Sequence, residues 1–536
     1  MELTICSSGF DTIREEEFLY VDKTETIFRM IKNHRMCFIA RPHLFGRGLL
    51  HSTIESLFSR GTEMFKGLAI DKLWKDRTYK VLRFGFGGIS CDTAENFRKS
   101  ALETLWAVTS GDFIDESGSP EDFPDIAAMM HEIVRRAAPE SIVLLINGYD
   151  RSLNKCLDKP GLFRAISSSI NDFFSEIEKG SSVFRFVLVT GVSRFKDQVM
   201  GSGHIIDDLS LEPEYASLLG FTEEEIRKYF GANLRDAAAS VFRVSAESVT
   251  ESQADLIMDS LRRYYGGFCF DREGKVRVYQ PWSVMHFLTS GWRCSFSDYW
   301  FRQCDISPLP ETETRLIEES LMGKEERLSA AWKDSTVSLD PGSVPSALSF
   351  LTQFGFFSIK STAEQGFSAG LTNLDMRMDW ARILVSGIMK DLDNDRVTAV
   401  TRSEEALSRP DASAQDISSH FSDILNVLKH GRIETVEEAC RLLILYCTGS
   451  GFDMRPCKDG NGRCSGLVCE FHDRLMKIAL RLAHEGETPE EKLDEAREQL
   501  LKDKECSGSC AMLKKLRRLA MIFSVQEQRI VLSAEV

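Results

Sequence analysis

The sequence predicts an α/β chain in three parts: a parallel sheet with crossover helices over residues 1–290, a helical connecting region over 291–405, and a small α/β unit over 406–536. Three observations carry that expectation. Through the first part, short apolar runs alternate with amphipathic stretches, the order expected of βαβ units. The runs are apolar almost throughout, as strands buried on both faces must be. From residue 436 onward the pattern reads as helix, hairpin, strand, helix and strand.

Buried strands are expected at Cys37–Ala40, Val81–Phe86, Ile142–Ile146 and Phe184–Thr190, with Arg83 and Arg185 as polar exceptions. Helix starts are signalled by the capping box Thr222-Glu-Glu-Glu225 and by Ser252 ahead of Ala254, Ile257, Met258 and Leu261. The middle region carries polar interruptions at 303–313 and 333–346, and Leu351–Lys360 holds a glycine followed by an alternating strand. Arg402–Pro410 is polar and reads as a linker. Beyond it come a helix at Val436–Thr448, a turn at 458–462, strands near Gly466–Glu470 and Leu475–Leu482, an acidic helix at Pro489–Lys504, and strands near Leu519–Phe523 and Arg529–Leu532.

A chain of 536 residues, 43% apolar, can build two or three separately cored units. Its net charge of −15 argues against broad attraction to nucleic acid and leaves only a local basic groove for that partner. Fourteen cysteines, several in apolar surroundings such as Cys37, Cys269 and Cys440, and the lack of an apolar leader in Met1–Gly9 fit a reduced, cytoplasmic compartment. No window approaches about 18 uninterrupted apolar residues, so no membrane span is expected.

The stretch Met36-Cys-Phe-Ile-Ala-Arg-Pro-His-Leu-Phe-Gly-Arg-Gly-Leu-Leu50 has the shape of a phosphate-binding loop between a strand and a helix. Arg41, Phe45, Gly46, Arg47 and Gly48 are its candidate binding residues. In a hydrolytic loop of this kind a Lys reaches the phosphates and a Ser/Thr hydroxyl holds Mg²⁺. Arg47 and Gly48 stand in those places, so the charge is kept and the metal-binding oxygen is lost. The strand Ile142-Val-Leu-Leu-Ile-Asn-Gly-Tyr-Asp150 ends where an NTPase places metal-orienting and water-activating carboxylates. Here Asn147 and Gly148 occupy those positions and Asp150 is the nearby acid; the alternative is a buried strand ending at a surface Asn-Gly corner. Phe184–Arg194 ends in Thr-Gly-Val-Ser-Arg, and Arg194 is either a γ-phosphate sensor or a structural arginine paired with Asp197 or Asp207.

Taken in order, Phe10-Asp-Thr-Ile-Arg-Glu-Glu-Glu-Phe-Leu-Tyr-Val-Asp-Lys-Thr24, Phe38–Gly46, Met64–Leu68, Leu145–Asp150, Thr190–Arg194, Leu219–Glu225, Tyr264–Phe268, Tyr279–Ser283 and Tyr299-Trp300 resemble the AAA-ATPase-like family. The resemblance implies a P-loop NTPase-like parallel sheet followed by a small C-terminal α/β restriction-nuclease-like domain of the PD-(D/E)XK type. It also implies ATP as the candidate nucleotide. His43, Leu44, Arg47 and Gly48 depart from the family's loop, and Asn147-Gly148 replaces its Asp-Glu. In the C-terminal part, Gly462-Arg-Cys-Ser-Gly-Leu-Val468 resembles the strand that carries the nuclease Asp, but Ser465 stands in its place. Ile478-Ala-Leu-Arg-Leu482 puts Ala479 and Arg481 where an acid and a Lys belong, and Ala496–Lys502 resembles the helix that carries a Gln.

The expectation is therefore a pseudoenzyme: nucleotide binding without Mg²⁺ chemistry, or a protein partner on the helical middle. The alternatives are a slow ATPase using Arg47 and Asp150, and a nucleic-acid-binding module using Arg463 and Arg481. Zinc on Cys457, Cys464, Cys469, His472, Cys506 and Cys510 lacks the close paired spacing of structural sites. The basic run Lys514, Lys515, Arg517 and Arg518 reads as solvated positions on a strand.

Overall fold

The computed structural model describes residues 9–195, 206–290, 314–323, 326–329, 347–363, 366–389, 411–429, 431–459, 462–471, 474–502 and 515–536, with 3, 296, 299–300 and 409. The chain divides into two compact units, one of Met1–Glu313 with Arg327–Thr372, the other of Thr314–Glu326 with Asn373–Val536. The expected connecting region at 291–405 is thus shared out between the two.

The first unit is built on five strands: β1 (Met36–Ala40), β2 (Lys80–Gly85), β3 (Ile142–Asn147), β4 (Phe184–Gly191) and β5 (Asp207–Asp208). They lie in the order β2-β3-β4-β1-β5, and every pairing is parallel. Both faces are apolar because successive side chains point to opposite sides. Phe38, Leu144, Ile146 and Val189 enter one buried cluster, while Cys37, Ile39, Leu145 and Leu188 enter another. The two arginines that interrupt the pattern are paired: Arg83 with Glu55 at 2.8 Å and Arg185 with Asp76 at 2.8 Å.

Helices cover the sheet: α1 (Phe10–Glu15), α2 (Thr24–Asn33), α3 (Arg47–Arg60), α4 (Ala94–Thr109), α5 (Ile126–Arg136), α6 (Arg151–Asn154) and α7 (Pro160–Lys179). After β5 come α8 (Glu223–Phe242), α9 (Glu251–Tyr265) and α10 (Pro281–Thr289). Thr222 and Glu225 form the capping box expected at the start of α8. For α9 the cap is Thr250, reciprocated by Gln253, and Ser252 lies inside the helix. Either residue suits a cap chemically; Thr250 has a partner three residues on that can reach back.

A strand β6 (Glu326–Ser329) belongs to a three-stranded sheet with β7 (Phe357–Ala363) and β8 (Gly366–Leu371). The second unit holds a five-stranded sheet of β9 (Asp453–Lys458), β10 (Cys464–Phe471), β11 (Arg474–Ala483), β12 (Lys515–Ser524) and β13 (Arg529–Glu535), ordered β13-β12-β11-β10-β9. Only β11 and β12 run parallel, and the helix Pro489–Lys502 connects them and packs on both. Helices Ala414–Leu428 and Val436–Gly449 also belong to this unit. The proposed linker at Arg402–Pro410 falls, apart from Arg409, outside the described residues, as do the interruptions at 303–313 and 333–346. No described helix is long and apolar enough to cross a membrane.

Backbones approach closely where β10 meets β11: a Cβ on Gly466 would overlap the Ile478 carbonyl oxygen. Gly466→Ala should therefore cost the second unit about 2–3 kcal/mol or more. Gly387→Ala, on an exposed helix with open space around it, should be neutral or stabilising by up to about 1 kcal/mol. Thermal unfolding of both variants checks the contrast.

Candidate functional site: a pinned loop over a cavity

The loop between β1 and α3 is fixed from several directions. Arg41 is buried and gives its donors to backbone carbonyls: Nη1 to Ala40 (2.7 Å) and Ser210 (2.8 Å), Nη2 to Tyr215 (3.0 Å). Its guanidinium also lies over the Phe270 ring at 4.3 Å. Phe45 is buried edge-on against Phe268 and Phe270. The carbonyl of His43 accepts from Trp300 Nε1 (2.8 Å), and that of Leu44 from Gln280 Nε2 (3.1 Å). Arg41 and Phe45 thus hold the loop's shape.

Gly46 closes the loop with φ of +91°, a left-handed conformation that glycine takes without the strain of a Cβ. No side chain caps α3, and its first intrahelical bond runs from Leu50 N to Gly46 O at 3.0 Å. The N–H groups of Arg47, Gly48 and Leu49 therefore precede the helix's own acceptors and form a positive end suited to an anion. They border a cavity of about 520 Å³ that Gly46, Arg47, Gly48 and Asn147 share with apolar walls from Tyr20, Val21, Phe221, Phe230, Trp282 and Met285. Lys23 also lines it, donating to Glu225 Oε2 (2.6 Å) and Ser217 O (2.7 Å). Burial lowers the Lys23 pKa, and the Glu225 carboxylate opposes that shift.

The strand ends are committed differently. Asn147 Oδ1 accepts from Thr190 Oγ1 (3.1 Å), which lies 2.8 Å from His51 Nε2. Thr190 donates to the amide, so the imidazole carries its proton on Nε2, leaving the buried Nδ1 without a partner. Burial, with the nearby charges of Arg83 and Arg47, pushes the His51 pKa down to about 3. Asp150 is 1% exposed. Its Oδ2 accepts from Val192 N (2.9 Å), Ser193 N (2.6 Å) and Asn154 Nδ2 (2.8 Å). Arg194 is also buried, with Nε and Nη2 on Asp208 Oδ2 at 2.9 and 2.7 Å. Its partner is therefore Asp208; Asp207 bonds His34 instead, and Asp197 lies outside the described residues.

The structure thus brings Phe45, Gly46, Arg47, Gly48 and Asn147 to one cavity, while Arg41, Asp150 and Arg194 are engaged elsewhere. The residues present do not fit a magnesium ion. Gly48 has no oxygen to offer from a side chain, Asn147 no charge, and Asp150 is held by three N–H donors. Lys23 and the apolar wall were not singled out from sequence, because their approach to the loop spans some two hundred residues of chain; only the run Val21-Asp-Lys-Thr24 hinted at them.

In the second unit, Ser465, Arg481 and Gln499 close on one another. Arg481 Nη1 donates to Ser465 O (3.1 Å) and its Nη2 to Gln499 Oε1; Gln499 Nε2 donates to Ser465 Oγ (3.1 Å), which donates to Cys457 O (3.3 Å). Ala479 lies opposite Gly466 in register and is buried. Arg463 is exposed, and Arg517 pairs with Glu535 at 2.8 Å. Of the cysteines and histidine weighed for zinc, His472, Cys506 and Cys510 lie outside the described residues, as does Lys514 of the basic run.

Residues 4–200 match the model of a family described as predicted AAA-ATPase. A curated relative, described as an uncharacterized protein in the vnfD 5′ region of Azotobacter chroococcum mcd 1, is 27% identical over 305 residues. The match covers 56% of this chain and 54% of that protein, so the chain spans about half the length of the curated relative.

The buried His51 predicts a pH dependence. Its folded pKa lies below the model value of 6.5, so between pH 6.5 and about 3 the unfolded state takes a proton that the folded state refuses, and stability falls as pH falls through that window. His51→Gln, which keeps a donor for Thr190, should flatten this slope. Between pH 7 and 4.5 the variant should lose less stability than the parent by an amount of order 2 kcal/mol, measured by denaturant unfolding at each pH.

Proposed function

We propose that the protein binds a nucleoside triphosphate, ATP, in the cavity above α3 and does not turn it over. The phosphates would lie on the N–H groups of Arg47, Gly48 and Leu49, and the base against the apolar walls. The observation that carries this reading is the pairing of an intact anion-binding loop with an Asp150 carboxylate already bound to the Val192 and Ser193 N–H groups. A triphosphatase needs a held metal and a group that orients water. Neither role has a free side chain among the described residues at these strand ends. The match of residues 4–200 to a predicted AAA-ATPase family supports the nucleotide class.

The second unit is read as a nuclease-fold domain whose metal site is lost. Its strand order, with a helix joining the parallel pair, is compatible with that fold, and Arg481 and Gln499 place hydrogen bonds where a PD-(D/E)XK site has carboxylates. An arginine in that place repels a divalent cation. The protein on this account is a two-part binding scaffold, acting by occupancy and partner contact.

The test is a calorimetric ATP titration paired with a phosphate-release assay and a DNA-cleavage assay on the full chain. Saturable ATP binding with no turnover and no cleavage is expected. Hydrolysis lost on Asp150→Ala, with the variant still folded by circular dichroism, would establish the slow-ATPase alternative instead.

A further inference from the structure

Two guanidinium groups stand at the phosphate end of this site, and neither is neutralised. Arg47 begins α3, and its Nη1 is buried with no hydrogen-bond partner. Orphaned buried donors of a charged group are costly, so a site that keeps one is shaped for an acceptor that arrives from outside. Arg151 begins α6, directly after Asp150 and beyond the end of β3. Its Nη1 lies beside Gly87, 3.3 Å from where a Cβ on that glycine would be, just past the end of β2. The side chain is exposed and has no ion pair or hydrogen bond among the described residues. The two charges sense each other: burial lowers the Arg47 pKa, Asp150 opposes that, and Arg151 adds to the lowering.

This is unlike the other arginines of the same sheet. Arg83, Arg185 and Arg194 each have a carboxylate within 2.8 Å. At the cradle, the nearest acid is Asp150, whose Oδ2 is already taken by backbone and amide N–H groups. Two cations meeting a helix N-terminus repel one another until an anion lies between them. They carry the charge that a metal ion supplies in a hydrolytic site.

We propose that Arg47 and Arg151 clasp the terminal phosphate, and that the site takes the metal-free polyphosphate anion, with magnesium acting as an antagonist of binding. The proposal rests on the nucleotide reading above and adds to it a residue and a form of the ligand. Magnesium removes two units of charge from ATP and occupies the β and γ oxygens that the guanidinium forks would engage. It would also bring its hydration shell against two cations with no free carboxylate to receive it.

The experiment is calorimetric titration of the full chain with ATP, AMP and inorganic tripolyphosphate, in EDTA and again in excess magnesium. ATP should bind at least about tenfold more tightly in EDTA, and Arg151→Gln should weaken ATP and tripolyphosphate about tenfold or more in EDTA, the loss of one charge-assisted contact. AMP affinity should be unchanged in that variant. Arg151 is exposed, so the variant should keep the parent's melting temperature; Arg47→Gln gives a second reading of the same loss. ATP binding that requires magnesium, or an Arg151→Gln protein with unaltered ATP affinity, would overturn the proposal while leaving nucleotide binding in place. Binding of tripolyphosphate but of no nucleotide, lost in Arg151→Gln, would retain the anion clasp and reject the nucleotide reading. Binding of none of the three rejects both.

Discussion

The site depends first on what the Asp150 carboxylate does. By accepting from the N–H groups of Val192 and Ser193 it ties the turn after β3 to the turn after β4, and it does so while buried. Backbone donors to an ionised acceptor make strong bonds, and losing the acceptor would strand them. The close packing around this tie is severe: a Cβ on Gly191 would stand 2.7 Å from Tyr149 Cε1 and 2.8 Å from Asp150 Oδ1. Thr190, held just before this junction, then orients Asn147 from one side and meets His51 on the other. The strand ends that a phosphate-handling enzyme leaves polar and available are here knitted together.

The two units show the same physical substitution. In the first, the loop that could hold phosphate is retained and braced by Arg41, Phe45, Trp300 and Gln280, while the metal-facing positions carry an amide, a glycine and arginines. In the second, Arg481, Gln499 and Ser465 satisfy one another. Carboxylates kept close together without a metal repel and raise one another's pKa. Replacing them with neutral or cationic groups that bond internally removes that strain, and such replacement is compatible with a scaffold kept for binding.

The central strands were legible because burial on both faces leaves continuous apolar runs; Ile142–Asn147 and Phe184–Gly191 lie within a residue or so of their expected bounds. The strand Asp453–Lys458 was not, since Arg455, Pro456 and Lys458 disguise it. It is an edge strand, where a proline's missing N–H costs little. The helix Ala414–Leu428 is opened by a Ser413–Asp416 capping box, less conspicuous than the Thr-Glu form at Thr222. Within the site, Gly46, Arg47, Gly48 and Asn147 could be proposed from spacing alone. The engagement of Asp150 by Val192 and Ser193, and of Arg194 by Asp208, could not, because each bond links segments whose separation is set only by the folded sheet. Arg151 gave no signal at all: an exposed arginine after an aspartate is ordinary until the neighbouring Arg47 is placed.

The central claim is that this nucleotide site has no ligands for a divalent cation. Electron paramagnetic resonance of manganese, added as a stand-in for magnesium to the protein with ATP, addresses it directly. The account predicts a spectrum matching manganese with ATP in buffer alone, unaffected by the protein. A protein-bound manganese signal that disappears in Asp150→Ala would contradict it.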